Sequence, residues 1–422
     1  MSDSSVSSLL RDRKFRILYA ALLISGIGAG ISRISLLWLA YHLTGSTVTM
    51  ALVFICFTLP GLLVSPISGA IADKYPKRDL FIGASVVIGV VVLLFPIAYH
   101  TGSLTILYGA VVLKGIALAF KDGPMRAYLP ELFAEEQLPA VNAMLENNRS
   151  LVIILGPAIG GFMLGFGYVD QAFILDSLSF MTAAGLFLLL PRTRNALSEG
   201  TLELSRIMGD IREGMKIIAA SPIHRFLLLL FVVLNGFSCM IGGLYMPFSE
   251  DILSPANGLS GGTIFAMLET TVGVGAFVGT LFISRIMEKA GPLRTLMLGS
   301  TLLAFEILLY GLVPNIFVLI PVTLVTANAI PLLLVPFFTL LQQKTAPDFR
   351  GRVMGATESI LLTIVSLAFG LGGVLAQVVG ILPLFITSGV LLIASMVVIM
   401  LLPLYRALRT EEQQELQPQG VT

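Results

Sequence analysis

"ILYAALLISGIGAGISRISLLWLAYHL" runs from Ile17 to Leu43, and Arg33 is the only charged side chain within it. About 20 consecutive apolar residues suffice for a helix to cross the roughly 30 Å hydrocarbon core of a bilayer. The run therefore reads as a membrane span, and it poses a question: what compensates Arg33 in its interior?

Composition supports the same solvent for the rest of the chain. Of 422 residues, 56% are hydrophobic and 12% charged, with a mean hydropathy of +0.93. Soluble domains carry about 25% charged residues, so too few are available here to cover a polar surface. No cleavable signal peptide is expected. The start, "MSDSSVSSLLRDRKFR", is polar and then basic, and the apolar run after it is too long for a signal core. Cys56 and Cys239 both fall within spans, which argues against a disulfide framework or a cysteine metal site.

Apolar runs occupy 16–42, 47–70, 80–100, 104–126, 139–166, 170–190, 224–247, 260–283, 293–313, 316–341, 353–378 and 383–403. The expected fold class is thus an all-α polytopic membrane protein with twelve transmembrane helices. Barrel strands would alternate over about ten residues instead. With the N-terminus inside, 23 of the 26 Lys and Arg fall in inner segments and none in an outer loop. The remaining three, Arg33, Lys114 and Arg149, lie within spans. Basic residues stay cytoplasmic, so both termini are expected there.

The connection 191–223 divides the chain into an N-terminal half (1–190), a C-terminal half (224–403) and a tail (404–422). Within it, Leu204, Ile207, Met208, Ile211, Met215 and Ile218 share one helical face, suited to lying on the inner membrane surface. A shift of 212 residues aligns "NAMLENNRSLVIILGPAIGG" (142–161) with "MGATESILLTIVSLAFGLGG" (354–373), so the halves read as pseudo-symmetric repeats. Such repeats are the plan of a secondary transporter with its site near the midplane.

On these residues the chain resembles the major facilitator superfamily. "GAIADKYPKR" (69–78) is similar to its signature between helices 2 and 3, G-x-x-x-D-[RK]-x-[GP]-[RK]-[RK]. There Gly69 would permit close helix contact, Asp73 would cap or pair across helices, and Lys74, Lys77 and Arg78 would hold the loop inside. "YHLTGSTVTMALVF" (41–54), "LGPAIGGFML" (155–164), "ILDSLSF" (174–180) and "PDFRGRVMGA" (347–356) resemble the enterobactin-exporter and macrolide-efflux branch. The resemblance implies alternating access, export, and a bacterial inner-membrane location. One feature departs from it: Ala29 and Gly30 stand where many relatives carry an acid in helix 1.

A charge at mid-span costs about 2.5–3.5 kcal/mol even on the insertion scale, so each must face protein or water. Arg33 on span 1 and Lys114 on span 4 are candidate anchors for an anionic substrate group, because guanidinium binds carboxylate or phosphate bidentately. Alternatively, Arg33 pairs with an acid on another helix. Glu269 on span 8 and Glu358 on span 11 are candidate proton carriers, able to load on one side and release on the other. Glu146 and Arg149, three apart on span 5, suit either mutual pairing or an inner gate. Asp176 on span 6 reads as structural. Gly156 and Pro157 in "LGPAIGG" mark a weakened, slim stretch for bending or tight packing.

No phosphate-binding loop, metal-ligand spacing or nucleophile–base pair is present, so no cofactor, ATP hydrolysis or enzymatic activity is expected. The net charge of +1 gives no reason to expect nucleic-acid binding. The expected activity is proton-coupled efflux of a small anionic or zwitterionic amphiphile, siderophore-like or antibiotic-like, by a monomer. A lysophospholipid flippase of the same fold is the alternative. Small-molecule substrate, protons or another coupling ion, and membrane lipids are the expected partners.

Overall fold

Apolar runs punctuated by glycine, proline and serine become helices because only a helix satisfies its own backbone in lipid. The computed structural model describes residues 9–134, 137–192, 204–346 and 349–416, and every regular element among them is a helix. We number twelve at the expected spans. The first six are α1 Arg13–Thr44, α2 Thr47–Lys74, α3 Lys77–Thr101, α4 Leu104–Leu132, α5 Leu138–Gly165 and α6 Val169–Phe187. The others are α7 Pro222–Gly242, α8 Gly261–Ala290, α9 Pro292–Leu312, α10 Ile316–Gln343, α11 Arg350–Val379 and α12 Ile381–Leu401. A linker helix, Leu204–Ala220, lies between α6 and α7, and a tail helix, Pro403–Leu416, follows α12.

Ten of the twelve are long and apolar enough to cross a membrane by themselves. Of the other two, α5 has an apolar stretch at Leu155–Gly165 among the described residues, and α6 carries Asp170 and Asp176. Large apolar side chains face outward, with Leu63 and Leu367 each 67% exposed and Val378 77%. That surface suits acyl chains. Between α1 and α2 the chain turns at Gly45, whose φ of 61° lies in the left-handed region that a side chain disfavours. Its N–H donates to Tyr41 O at 2.7 Å, and Ser46 then caps α2 by accepting from the Thr49 N–H.

The chain forms two compact units: Met1–Leu202 with Ser260–Thr270, and Glu203–Leu259 with Thr271–Thr422. The first turns of α8 thus group with the first six helices. In the first unit, Phe81 packs edge-on against Tyr128 and Phe187, with ring centres 5.3 and 5.0 Å apart. Beside them the start of α3 holds the end of α6: Arg78 donates to Leu190 O at 2.8 Å, and Asp79 pairs with Arg192 at 2.7 Å. Lys77 pairs with Glu131. In the second unit, Phe231 stacks on Phe337 at 3.8 Å. The linker helix belongs to that unit, where Glu213 accepts from Arg352 of α11 at 3.0 Å and Gly214 lies directly against the Arg352 carbonyl.

Helices α1 and α5 meet backbone to backbone. A Cβ built on Gly156 would stand 2.7 Å from the Gly30 Cα, and one on Gly160 would stand 3.0 Å from the Ile31 Cα. Pro157, inside α5, is buried beside this contact, and α5 is helical on both sides of it. Gly69 departs from expectation. A Cβ there meets nothing within 4 Å, so among the described residues no helix approaches closely enough to require glycine.

Gly156→Leu should therefore destabilise the first unit by about 1–3 kcal/mol or more, the usual penalty for overpacking, while Gly69→Ala leaves stability unchanged or slightly raised. Melting temperature and monodisperse yield in mild detergent check both.

Candidate functional site

Between Gly26 and Arg33, helix α1 carries two stripes of different chemistry, one with Gly26, Gly30 and Arg33 and one with Gly28 and Ser32. Toward α5 it offers two glycines, Gly26 against Val152 and Gly30 against Gly156, with Ile31 against Gly160. Toward α4 and α6 it offers Gly28 and Ser32. A Cβ on Gly28 would collide with the Ser179 hydroxyl, and Ser32 Oγ accepts a hydrogen bond from Lys114 Nζ at 2.6 Å. Arg33, seven residues on from Gly26 and three from Gly30, continues the glycine stripe, and its Nη2 lies 2.9 Å from Glu269 Oε2.

Glu269 is brought there by α8. A Cβ on Gly161 or Gly165 of α5 would overlap Ala266 or Thr263, so the start of α8 lies in direct contact with the C-terminal half of α5. The first unit thereby joins a predicted substrate anchor to a predicted proton carrier in one ion pair. The two partners differ in accessibility, 55% for the Arg33 side chain and 19% for Glu269. Space beside the guanidinium is available to a ligand.

Lys114 is placed otherwise than expected of a ligand anchor. Its ammonium pairs with Asp176 Oδ2 at 2.9 Å, and the two side chains are 5% and 0% exposed. The Phe95 ring lies 5.8 Å away, which adds a cation–π contact. A lysine stem is long enough to carry the charge sideways into this closed site, and an uncompensated ammonium in apolar surroundings would cost several kcal/mol. Asp176 has the structural setting read for it in the sequence. Its Oδ1 is buried and has no hydrogen-bond partner among the described residues.

Of the other expected residues, Lys74 is exposed at the end of α2 and Arg149 is exposed on α5. The side chains of Asp73, Glu146 and Glu358 lie outside the described residues. In the sequence Ser32 reads only as a small residue that, with Gly28, keeps this stretch slim, and its bond to Lys114 carries no signal there. Among the described residues no cluster of His, Cys, Asp or Glu has the makings of a metal site. A cavity of about 320 Å³ in the second unit, lined by Leu227, Leu340, Lys344 and Glu412 among others, contains none of the candidate residues.

The sequence profile of the family described as "transmembrane secretion effector" matches residues 4–421. The chain belongs to this family, within the major facilitator superfamily. It is 26% identical over 406 residues to the multidrug efflux pump Tap of Mycolicibacterium fortuitum, covering 93% of this chain and 96% of that one. It is 23% identical over 393 residues to macrolide efflux protein A of Streptococcus pyogenes, covering 91% and 95%. A bacterial homologue of the iron transporter ferroportin, solved in an inward-facing state, superposes with a TM-score of 0.70 at 14% identity, covering 95% of this chain and all of that one. That likeness shows the fold. The protein is accordingly a multi-pass membrane transporter and not an enzyme.

Lys114→Met strands Asp176 as a buried charge and should destabilise the protein by about 3–5 kcal/mol. Lys114→Met with Asp176→Asn removes both charges and should recover most of that loss, as read by thermal unfolding in detergent.

Proposed function

We infer that the protein exports an amphiphilic zwitterion in exchange for protons by alternating access, and that the Arg33–Glu269 pair is where substrate and proton compete. The 2.9 Å contact between these side chains carries the reading. At rest each partner neutralises the other. A purely anionic ligand at Arg33 would displace Glu269 and leave its carboxylate unpaired, favouring protonation. Anion and proton would then load together, the wrong sign for antiport. A zwitterion supplies both halves of the replacement, its carboxylate to Arg33 and its cationic centre to Glu269. A proton on Glu269 opposes that second contact, so substrate and proton exclude each other, as exchange requires.

Support for export comes from the relatives named for macrolide and multidrug efflux. Support for a proton carrier at Glu269 comes from a carboxylate in a membrane span whose counter-charge remains accessible. The distribution of Lys and Arg supports a cytoplasmic side for both termini, and a monomer suffices for the cycle.

The test compares cellular accumulation of norfloxacin (zwitterion), nalidixate (anion) and ethidium (cation). Wild type should deplete norfloxacin most. Arg33→Gln should weaken that export about 10- to 100-fold, the value of a charge-assisted hydrogen bond of roughly 1.5–3 kcal/mol. Glu269→Gln should abolish its dependence on the pH gradient. Preferred export of nalidixate, or norfloxacin export indifferent to Arg33→Gln, would overturn the reading.

A further inference from the structure

The geometry points to Lys114 as a positioning residue: through Ser32 it sets the rotation of α1 about its axis and so aims Arg33 at Glu269.

Gly26 and Gly30 lie flat against α5, and Gly28 lies flat against Ser179. Glycine faces allow close approach, and the apolar knob of this stretch, Ile31 packed on Met163 and Ala172, makes contacts that have no bonding direction. Ser25 and Ser35 donate their hydroxyls to carbonyls of α1 itself, Leu22 and Ile31, so neither ties α1 to a neighbour. Ser32 is different. It is fully buried, and its Oγ receives the Lys114 ammonium at 2.6 Å.

Lys114 is in turn fixed by Asp176 Oδ2 at 2.9 Å and lies near the Phe95 ring. Asp176 is fully buried, and Ser179 Oγ donates to its backbone carbonyl at 2.7 Å. Helices α4 and α6 thus present a rigid cationic point to one side of α1. Successive residues on a helix are about 100° apart, so fixing Ser32 fixes the direction in which Arg33 leaves. Arg33 has a long stem, and a modest rotation of α1 would sweep its guanidinium away from Glu269.

The functional consequence rests on the reading of Arg33 and Glu269 as the substrate pair, whereas the positioning itself does not. Two readouts keep them apart. In the first, Arg33→Cys and Glu269→Cys are joined in membranes by a short methanethiosulfonate crosslinker, with and without Ser32→Ala. Ser32→Ala leaves the Lys114–Asp176 pair intact and should not impair folding. The expected crosslinking rate falls about tenfold, within the hundredfold that a misplacement of roughly 1 Å can produce. Lys114→Met with Asp176→Asn, which also removes the anchor without stranding a charge, should lower it similarly. Unchanged crosslinking in both backgrounds overturns the proposal.

In the second readout, norfloxacin transport is measured with Arg33 and Glu269 intact. Ser32→Ala should raise KM about tenfold with kcat unchanged, the signature of lost binding common to ground and transition states. It should add nothing in an Arg33→Gln background. A purely structural role would instead lower protein yield and give additive effects with Arg33→Gln. Slower crosslinking with unaltered KM would leave the positioning standing and remove Arg33 from the substrate site.

Discussion

A guanidinium inside a membrane span needs a counter-charge, and most of what is particular to this protein is arranged around that need. Arg33 lies well inside α1, and the carboxylate that pairs with it comes from another helix. Glu269 does so because the small residues of α5 let the start of α8 approach within backbone contact, at Gly161 and Gly165. A bulky side chain at either position would move the acid away. The packing of glycine against backbone is therefore a precondition of the electrostatics.

Among the described residues of the first unit, the pairs at Arg33 and Lys114 have equal length, 2.9 Å each, and opposite relations to their surroundings. Lys114 and Asp176 are enclosed, and nothing from outside can compete for either partner without opening the interface of α4 and α6. Arg33 is accessible on one side. Both pairs must offset the desolvation of their charges, but only the accessible one can exchange its partner for a ligand. Adjacent residues of α1, Ser32 and Arg33, belong to the two different pairs, so the closed one acts as a fixed reference for the open one.

Much of this was legible in the sequence. Apolar run length gave all twelve helices within a few residues at most ends, and the loop motif with the repeat pointed to the superfamily. Most departures came where a helix outlasts its apolar stretch: α4 continues to Leu132 through Pro124 and Pro130, α8 to Ala290 and α2 to Lys74, whereas α7 stops at Gly242, short of the expected 247. Hydropathy registers lipid contact, whereas the helix persists as long as its backbone bonds do. The charged set was also legible, but its pairing was not. Lys114 and Arg33 look alike as cations in spans of one half, and only the placement of Asp176 and of the first turns of α8 separates a closed pair from an open one. Spacing along the chain carries no information about partners 62 and 236 positions away.

The competition at Arg33 and Glu269 is tested most directly by proton movement in purified proteoliposomes. Norfloxacin would be added outside vesicles that contain a trapped pH dye, with protein-free vesicles as the reference. If zwitterion entry is exchanged for a proton, the lumen becomes more alkaline with wild-type protein and does not with Glu269→Gln. A lumen that acidifies, or an identical alkaline shift in Glu269→Gln, would contradict the account.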